Sequence, residues 1–158
     1  MSGAERNSVE VNPDWNKISE CRECTCFNLR KAARFVTQIY DDAMRPTGLR
    51  NTQFSLLVHA SAMGPVSLMK LAQAMATDRT TIARNLEPLE KDGLLKIQDG
   101  KDRRSRMISI TDKGLRKLNE AYPIWKKTQD EVKSVIGFED WSNMLSHINV
   151  AIERLQKA

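Results

Sequence analysis

The chain has 158 residues, of which 41% are hydrophobic and 28% charged, with 25 Lys and Arg against 20 Asp and Glu. That length fits one domain that buries about 70% of its unfolded surface and needs no disulfide or metal staple. A membrane span (roughly 20 apolar residues), a secretory leader and a disulfide framework are all excluded as readings: no apolar run is long enough, MSGAERNSVEVNPDW has no hydrophobic core, and the three Cys crowd into CRECTC.

Residues 1–20 are polar, mildly acidic and aperiodic, and read as a flexible arm anchored by Trp15 and Ile18. From Cys24 to Met44 the pattern turns helical, because Leu29, Ala33, Val36, Tyr40 and Ala43 recur at steps of four and three. Pro46 and Gly48 end that helix. A second helix is predicted from about Thr52 to Ala62, capped by Asn51 or Thr52 and stopped by Gly64 and Pro65. A third spans Val66–Ala76 with Ser67 as its N-cap and Leu68, Leu71, Ala72 and Met75 on one face.

After a glycine-free turn at Ala76–Asp78 comes a fourth helix, Arg79 to about Asp92, closed by Gly93. Its buried stripe is Ile82, Leu86 and Leu89; the opposite face carries Thr77, Thr80, Thr81, Arg84 and Pro88. Pro88 removes a backbone donor, so a bend or a tolerant context is expected. The period then switches to two: Leu95 and Ile97, then Ile108 and Ile110, flank DGKDRRSR as a hairpin with a basic tip. Thr111 caps a long helix whose seam is Leu115, Leu118, Tyr122, Trp125, Gln129, Val132 and Ile136, with a kink expected at Pro123. Gly137 ends it, and a last helix repeats the spacing at Trp141, Leu145, Ile148, Ile152 and Leu155.

The charge is uneven along these elements. Residues 1–20 carry −2 and 118–158 carry −1, whereas 21–77 and 78–117 carry +4 each; Lys96–Arg106 alone holds five cations and two anions. Two short helices, a tight turn and a basic hairpin describe a winged helix-turn-helix, in a chain that is mainly α with a small β wing. The second helix of the pair fits the major groove, which is about 12 Å wide. Ser67, Arg79, Thr80, Thr81, Arg84 and Asn85 are the candidate contacts there, with Arg103, Arg104 and Arg106 of the wing reaching the neighbouring minor groove. The expected partner is double-stranded DNA. The apolar seams of the terminal helices exceed what the winged region covers, which points to an intertwined two-fold dimer reading a pseudo-palindrome.

The stretch DRTTIARNLEPLEKDGLLKIQDGKDRRSRMISITDKG resembles the multiple-antibiotic-resistance-regulator (MarR) family. It has a T-x-x-R recognition helix, an L-E-x-x-G-L exit into the wing, a D-x-R wing tip (Asp102, Arg104) and a closing S-I-T-x-K-G. The resemblance runs over roughly residues 24–157, and CTCFNLRKAARFVTQIYDDAMRPTGLRNTQFSLL is similar to the family's first two helices. It implies residues 21–158 as one family domain, with 21–48 and 112–158 as dimerisation helices and 49–111 as the DNA-binding region. It also implies a homodimeric repressor, released by a small aromatic or phenolic ligand bound among the first, second and fifth helices. Arg104 would be the minor-groove arginine, oriented by Asp102. His59, Tyr40 and Arg34 are polar groups on or near those helices that could meet a carboxylate or phenol.

Cys21, Cys24 and Cys26 leave three readings open: a redox sensor, favoured by Arg22 and a helix N-terminus near Cys24; a soft-metal site one ligand short of tetrahedral zinc; or thiols that pack near the dimer seam. An oxidant- or metal-responsive repressor is therefore the alternative to ligand release. A protein-interaction module with weak DNA binding is the alternative of another class. An enzyme is not expected, because GxGxxG, GxxxxGKS/T, HExxH and GxSxG are absent and His59 and His147 are the only histidines. No cofactor, no resident metal and no membrane are expected, and a reducing cytoplasm is the expected home.

Overall fold

The computed structural model describes residues 13–100 and 106–157. The chain divides into two compact units, residues 1–36 and 37–158.

In the first unit, the polar segment after Pro13 is helical where an aperiodic arm was expected. Helix α1 covers Trp15–Ser19 and continues into a 3-10 turn at Glu20–Glu23. Asp14 helps start it, since its Oδ1 accepts from the Lys17 amide at 3.4 Å. Residues 1–12 lie outside the described residues. Helix α2 (Thr25–Met44) begins here and exposes Phe27, Leu29, Phe35 and Val36.

In the second unit, α2 ends at Met44 and a 3-10 turn, Arg45–Thr47, delivers Gly48 in the left-handed region at φ +73°. Helix α3 (Asn51–Met63) follows. Neither Asn51 nor Thr52 caps it: Arg50 takes the N-cap position, its amide donates to Gln53 Oε1 at 2.9 Å, and the Asn51 amide donates to Asp41 Oδ1 at 2.7 Å. A residue of the preceding helix supplied what local sequence could not.

Strand β1 (Val66–Ser67), helix α4 (Leu68–Ala74) and helix α5 (Arg79–Lys91) come next, then strands β2 (Leu95–Asp99) and β3 (Arg106–Ile110). Val66 was expected in the third helix but belongs to β1, which pairs antiparallel with β3 opposite Ile108. The wing is thus a three-stranded sheet of order β1-β3-β2. Leu95 faces Ile110 and Ile97 faces Ile108, the register that the alternation of apolar residues demands. One core joins these pieces: Leu56, Leu57, Leu71, Ile82, Leu86, Leu89, Leu95 and Ile108 are all fully buried.

Helix α6 runs unbroken over Asp112–Ile136 with Pro123 inside it. Thr111 caps it as expected, accepting from the Gly114 amide at 3.0 Å while donating to the Gly93 carbonyl at 2.7 Å. Gly114 has no room for a side chain: a Cβ there would stand 2.1 Å from the Leu94 carbonyl oxygen. The buried line of α6 is Gly114, Ala121 and Thr128, small residues at steps of seven. The expected seam lies to one side of it, with Leu115 and Tyr122 exposed and Leu118 and Trp125 partly covered. Trp125 stacks on Phe54 of α3 at 5.9 Å, and Tyr40 of α2 donates its hydroxyl hydrogen to Gln129. Helix α7 (Phe138–Leu155) follows Gly137 and buries no residue at all. No helix among the described residues is long and apolar enough to cross a membrane.

Candidate nucleic-acid interface

The α4–α5 pair is built by two caps and a strained turn. Ser67 Oγ accepts from the Lys70 amide at 3.3 Å to start α4. The chain then reverses through Ala76, a non-glycine residue at φ +47°. Asp78 starts α5: its Oδ1 accepts from the Thr80 and Thr81 amides at 2.9 and 2.8 Å, and its Oδ2 accepts from the Thr81 hydroxyl at 2.6 Å. Those bonds, the Thr81 hydroxyl foremost, hold the Asp78 carboxyl below its ordinary range. They also assign Thr81 a role. Its one hydroxyl proton is engaged, which leaves only the oxygen lone pairs and the methyl group free to meet a ligand.

At 100° per residue, Thr80, Arg84, Glu87 and Lys91 fall within about 60° of one another, opposite the buried Ile82, Leu86 and Leu89. All four are exposed. Asn85 is half-buried and sits on the flank of the buried stripe, away from this outward face. Between α5 and the wing lies a cleft of about 410 Å³, lined by Arg79, Arg84, Glu87 and Glu90 from the helix and by Ile97 and Arg106 from the strands. None of the ion pairs among the described residues uses Arg79, Arg84 or Arg106, so the three guanidinium groups stand ready for an external anion. Pro88 leaves α5 continuous, and the helix closes with the Asp92 amide on the Pro88 carbonyl at 2.9 Å. The wing-tip candidates Asp102, Arg103 and Arg104 lie outside the described residues.

The structure does not present the three effector candidates as a set of free polar groups. Tyr40 is buried, its hydroxyl is engaged by Gln129, and burial raises its pKa. His59 Nδ1 lies 2.8 Å from the Ser55 carbonyl one turn back on its own helix. Arg34 is exposed on α2. Cys21, Cys24 and Cys26 are free and exposed. Among the described residues, no three His, Cys, Asp or Glu come together as a set that could hold a metal ion. The metal reading of the cysteines therefore has no ligand cluster behind it among the described residues.

Three further residues shape this candidate surface that spacing alone does not single out. Asp78 reads as part of the turn, yet an Asp two and three positions ahead of a Thr pair is a cap signal, and it caps α5. Glu87 and Lys91 share the recognition face by helical periodicity alone, but a search for cations and hydroxyls overlooks an acid.

A model of the MarR family matches residues 49–105. The transcriptional regulator MosR of M. tuberculosis, solved in complex with DNA, is 38% identical, with 85% of this chain and 98% of that chain covered at a TM-score of 0.77. The regulator BpsR of Bordetella bronchiseptica, whose DNA binding is regulated by 6-hydroxynicotinic acid, is 21% identical over 82% of this chain and 98% of its own, at a TM-score of 0.73. A curated relative, the uncharacterized HTH-type transcriptional regulator YwoH of Bacillus subtilis (strain 168), is 22% identical over 120 residues, 76% of this chain and 87% of the relative.

Proposed function

The chain belongs to the MarR family of winged-helix, DNA-binding transcriptional regulators and is not an enzyme, and from that premise we propose that it is a homodimeric repressor of a pseudo-palindromic operator, released by a small aromatic ligand. The observation that carries the DNA reading is the cleft between α5 and the wing, where Arg79, Arg84 and Arg106 form no ion pair among the described residues. Arg84 would read a guanine edge or clamp a phosphate, Thr80 would donate to a phosphate, and Arg104 would enter the minor groove beside Arg103 and Arg106, oriented by Asp102. Arg84→Ala and Arg104→Ala are each expected to weaken operator binding by about 1–3 kcal/mol without unfolding the protein. Fluorescence anisotropy on the DNA upstream of its own gene checks this, and affinity is expected to fall steeply as salt rises. Equal competition by unrelated DNA would favour the protein-interaction reading instead.

Homodimerisation rests on the uncovered apolar face of α7. Release by an aromatic ligand is supported by the family and by the behaviour of BpsR. Because Gln129 already engages Tyr40, a phenol or carboxylate that uses this tyrosine must displace that bond. A second reading, oxidant response, is favoured by three exposed thiols within six residues. Ellman titration with and without peroxide, read against operator affinity, tests it: oxidation that leaves binding unchanged removes the sensor role. A cytoplasmic location accords with both readings.

A further inference from the structure

Glu87 is an exposed carboxylate on the same face of α5 as Thr80 and Arg84, and it lines the cleft between that helix and the wing together with Arg79, Arg84 and Arg106. Three cations line the same cleft, yet among the described residues Glu87 forms no ion pair within 4 Å. A free carboxylate on a surface that faces a polyanion works against binding, because like charges at close range repel. It contributes only where the DNA offers it a donor. Phosphates and sugar-ring oxygens offer none. In the major groove the donors are the amino groups of cytosine and adenine, and they differ: the adenine amino group stands beside the N7 acceptor, which repels a carboxylate, whereas cytosine presents its amino group with no acceptor beside it. Glu90 lines the same cleft but by helical periodicity sits about 60° round from Glu87 on the wing side, outside the arc of Thr80, Arg84, Glu87 and Lys91, and Asp78 is already engaged by the Thr80 and Thr81 amides and the Thr81 hydroxyl. Glu87 is therefore the acid left to meet a base edge.

We propose that Glu87 is a specificity-determining residue of the recognition helix, accepting from the N4 amino group of one cytosine in each operator half-site and rejecting other bases by repulsion. The inference rests on the reading of α5 as the helix that enters the major groove.

The test is a set of parallel selections from a randomised duplex pool by wild type, Glu87→Gln and Glu87→Ala. Anisotropy then follows on the wild-type duplex and on its single-base-pair variants, with thermal melts to confirm that all three proteins fold alike. Wild type is expected to lose about tenfold in affinity when one C·G pair per half-site is replaced. Glu87→Ala is expected to lose that discrimination at that position alone and to bind unrelated DNA more tightly. Glu87→Gln is expected to move the preference there from cytosine toward adenine, since a carboxamide matches the adenine amino group and N7 together. Both variants binding every duplex more tightly by one common factor, with the wild-type base preferences intact, would overturn the proposal and leave DNA binding standing. A wild type that does not distinguish selected from unrelated duplexes would overturn the operator reading and this proposal together.

Discussion

The winged region and the terminal helix spend their apolar residues in opposite ways. Between α3 and β3, eight large side chains are fully buried and share one core with the sheet and the recognition helix. Helix α7 has a comparable apolar stripe, yet Phe138 is 72% exposed, Ile152 46% and Leu155 72%, and no residue of the helix is buried. Its internal ties are few: Phe138 against Trp141 at 6.0 Å, and the Lys133 ammonium 4.2 Å above the Trp141 ring. One region folds on what its own sequence supplies. The other leaves much of the apolar stripe of an 18-residue helix exposed, with only Trp141 and Ile148 among its large apolar residues half-buried. The difference marks α7 as the face on which the proposed dimer would rest, and the winged core as the part that needs no partner.

Leu86→Ala should break this contrast on the self-sufficient side. The side chain is fully buried in the recognition helix's contact with the core, so its removal is expected to destabilise by about 2–5 kcal/mol. The loss should be read by denaturant melts at several protein concentrations and should be the same at each. A loss that shrinks as concentration rises would mean that the winged core, too, depends on association.

Ile152→Glu breaks the other side. The residue is exposed in the single chain, so the variant's helix content and its winged core should be untouched. A carboxylate placed on the face proposed to form the dimer is expected to raise the dimer dissociation constant at least tenfold, about 1.4 kcal/mol. Sedimentation velocity across a concentration series checks it. A wild type that sediments as a monomer, or a variant that dimerises as well as wild type, would remove α7 from the proposed interface.

The same contrast governs how much could be read from residues alone. Where burial is settled within the chain, periodicity located it: Ile82, Leu86 and Leu89 at steps of four and three, and Leu95 and Ile97 against Ile108 and Ile110 at steps of two, all sit where the pattern puts them. Where a tertiary partner decides, the pattern misled. Val66 reads as helix but adds a strand beside Ile108, because the free edge of β3 is available to it. The Asn51 amide at the start of α3 is satisfied by Asp41, ten residues before it. In α6 the large residues drew attention, while the buried line consists of Gly114, Ala121 and Thr128; close helix packing selects small side chains, which hydrophobic counting ignores. The site followed suit. Thr80 and Arg84 were legible as an outward face, but the engagement of Thr81 by Asp78 and the unpaired carboxylate of Glu87 depend on side-chain geometry that spacing does not encode.

The smallest expected effect sharpens the comparison most, because it changes the winged region without touching the core or α7. Ala76 turns the chain between α4 and α5 at φ +47°, and the Thr77 amide behind it donates to the Ala72 carbonyl at 3.0 Å. A left-handed conformation costs an L-residue about 1–2 kcal/mol. Glycine avoids that strain but loses more backbone entropy on folding, about 0.5–1 kcal/mol. The balance leaves Ala76→Gly more stable than wild type by about 0.5 kcal/mol, or roughly 1–2 °C in melting temperature for a chain of this size. The dimer dissociation constant should not change, since the turn lies outside the α7 face. Should Ala76→Gly instead lower the melting temperature, the entropy of the unfolded turn outweighs the strain. The alanine would then serve to hold the two helices of the pair at a fixed angle, and operator affinity should fall in the same variant. If the dimer constant moved along with stability, the two regions would be coupled through α6, and the independence argued from their burial would not hold.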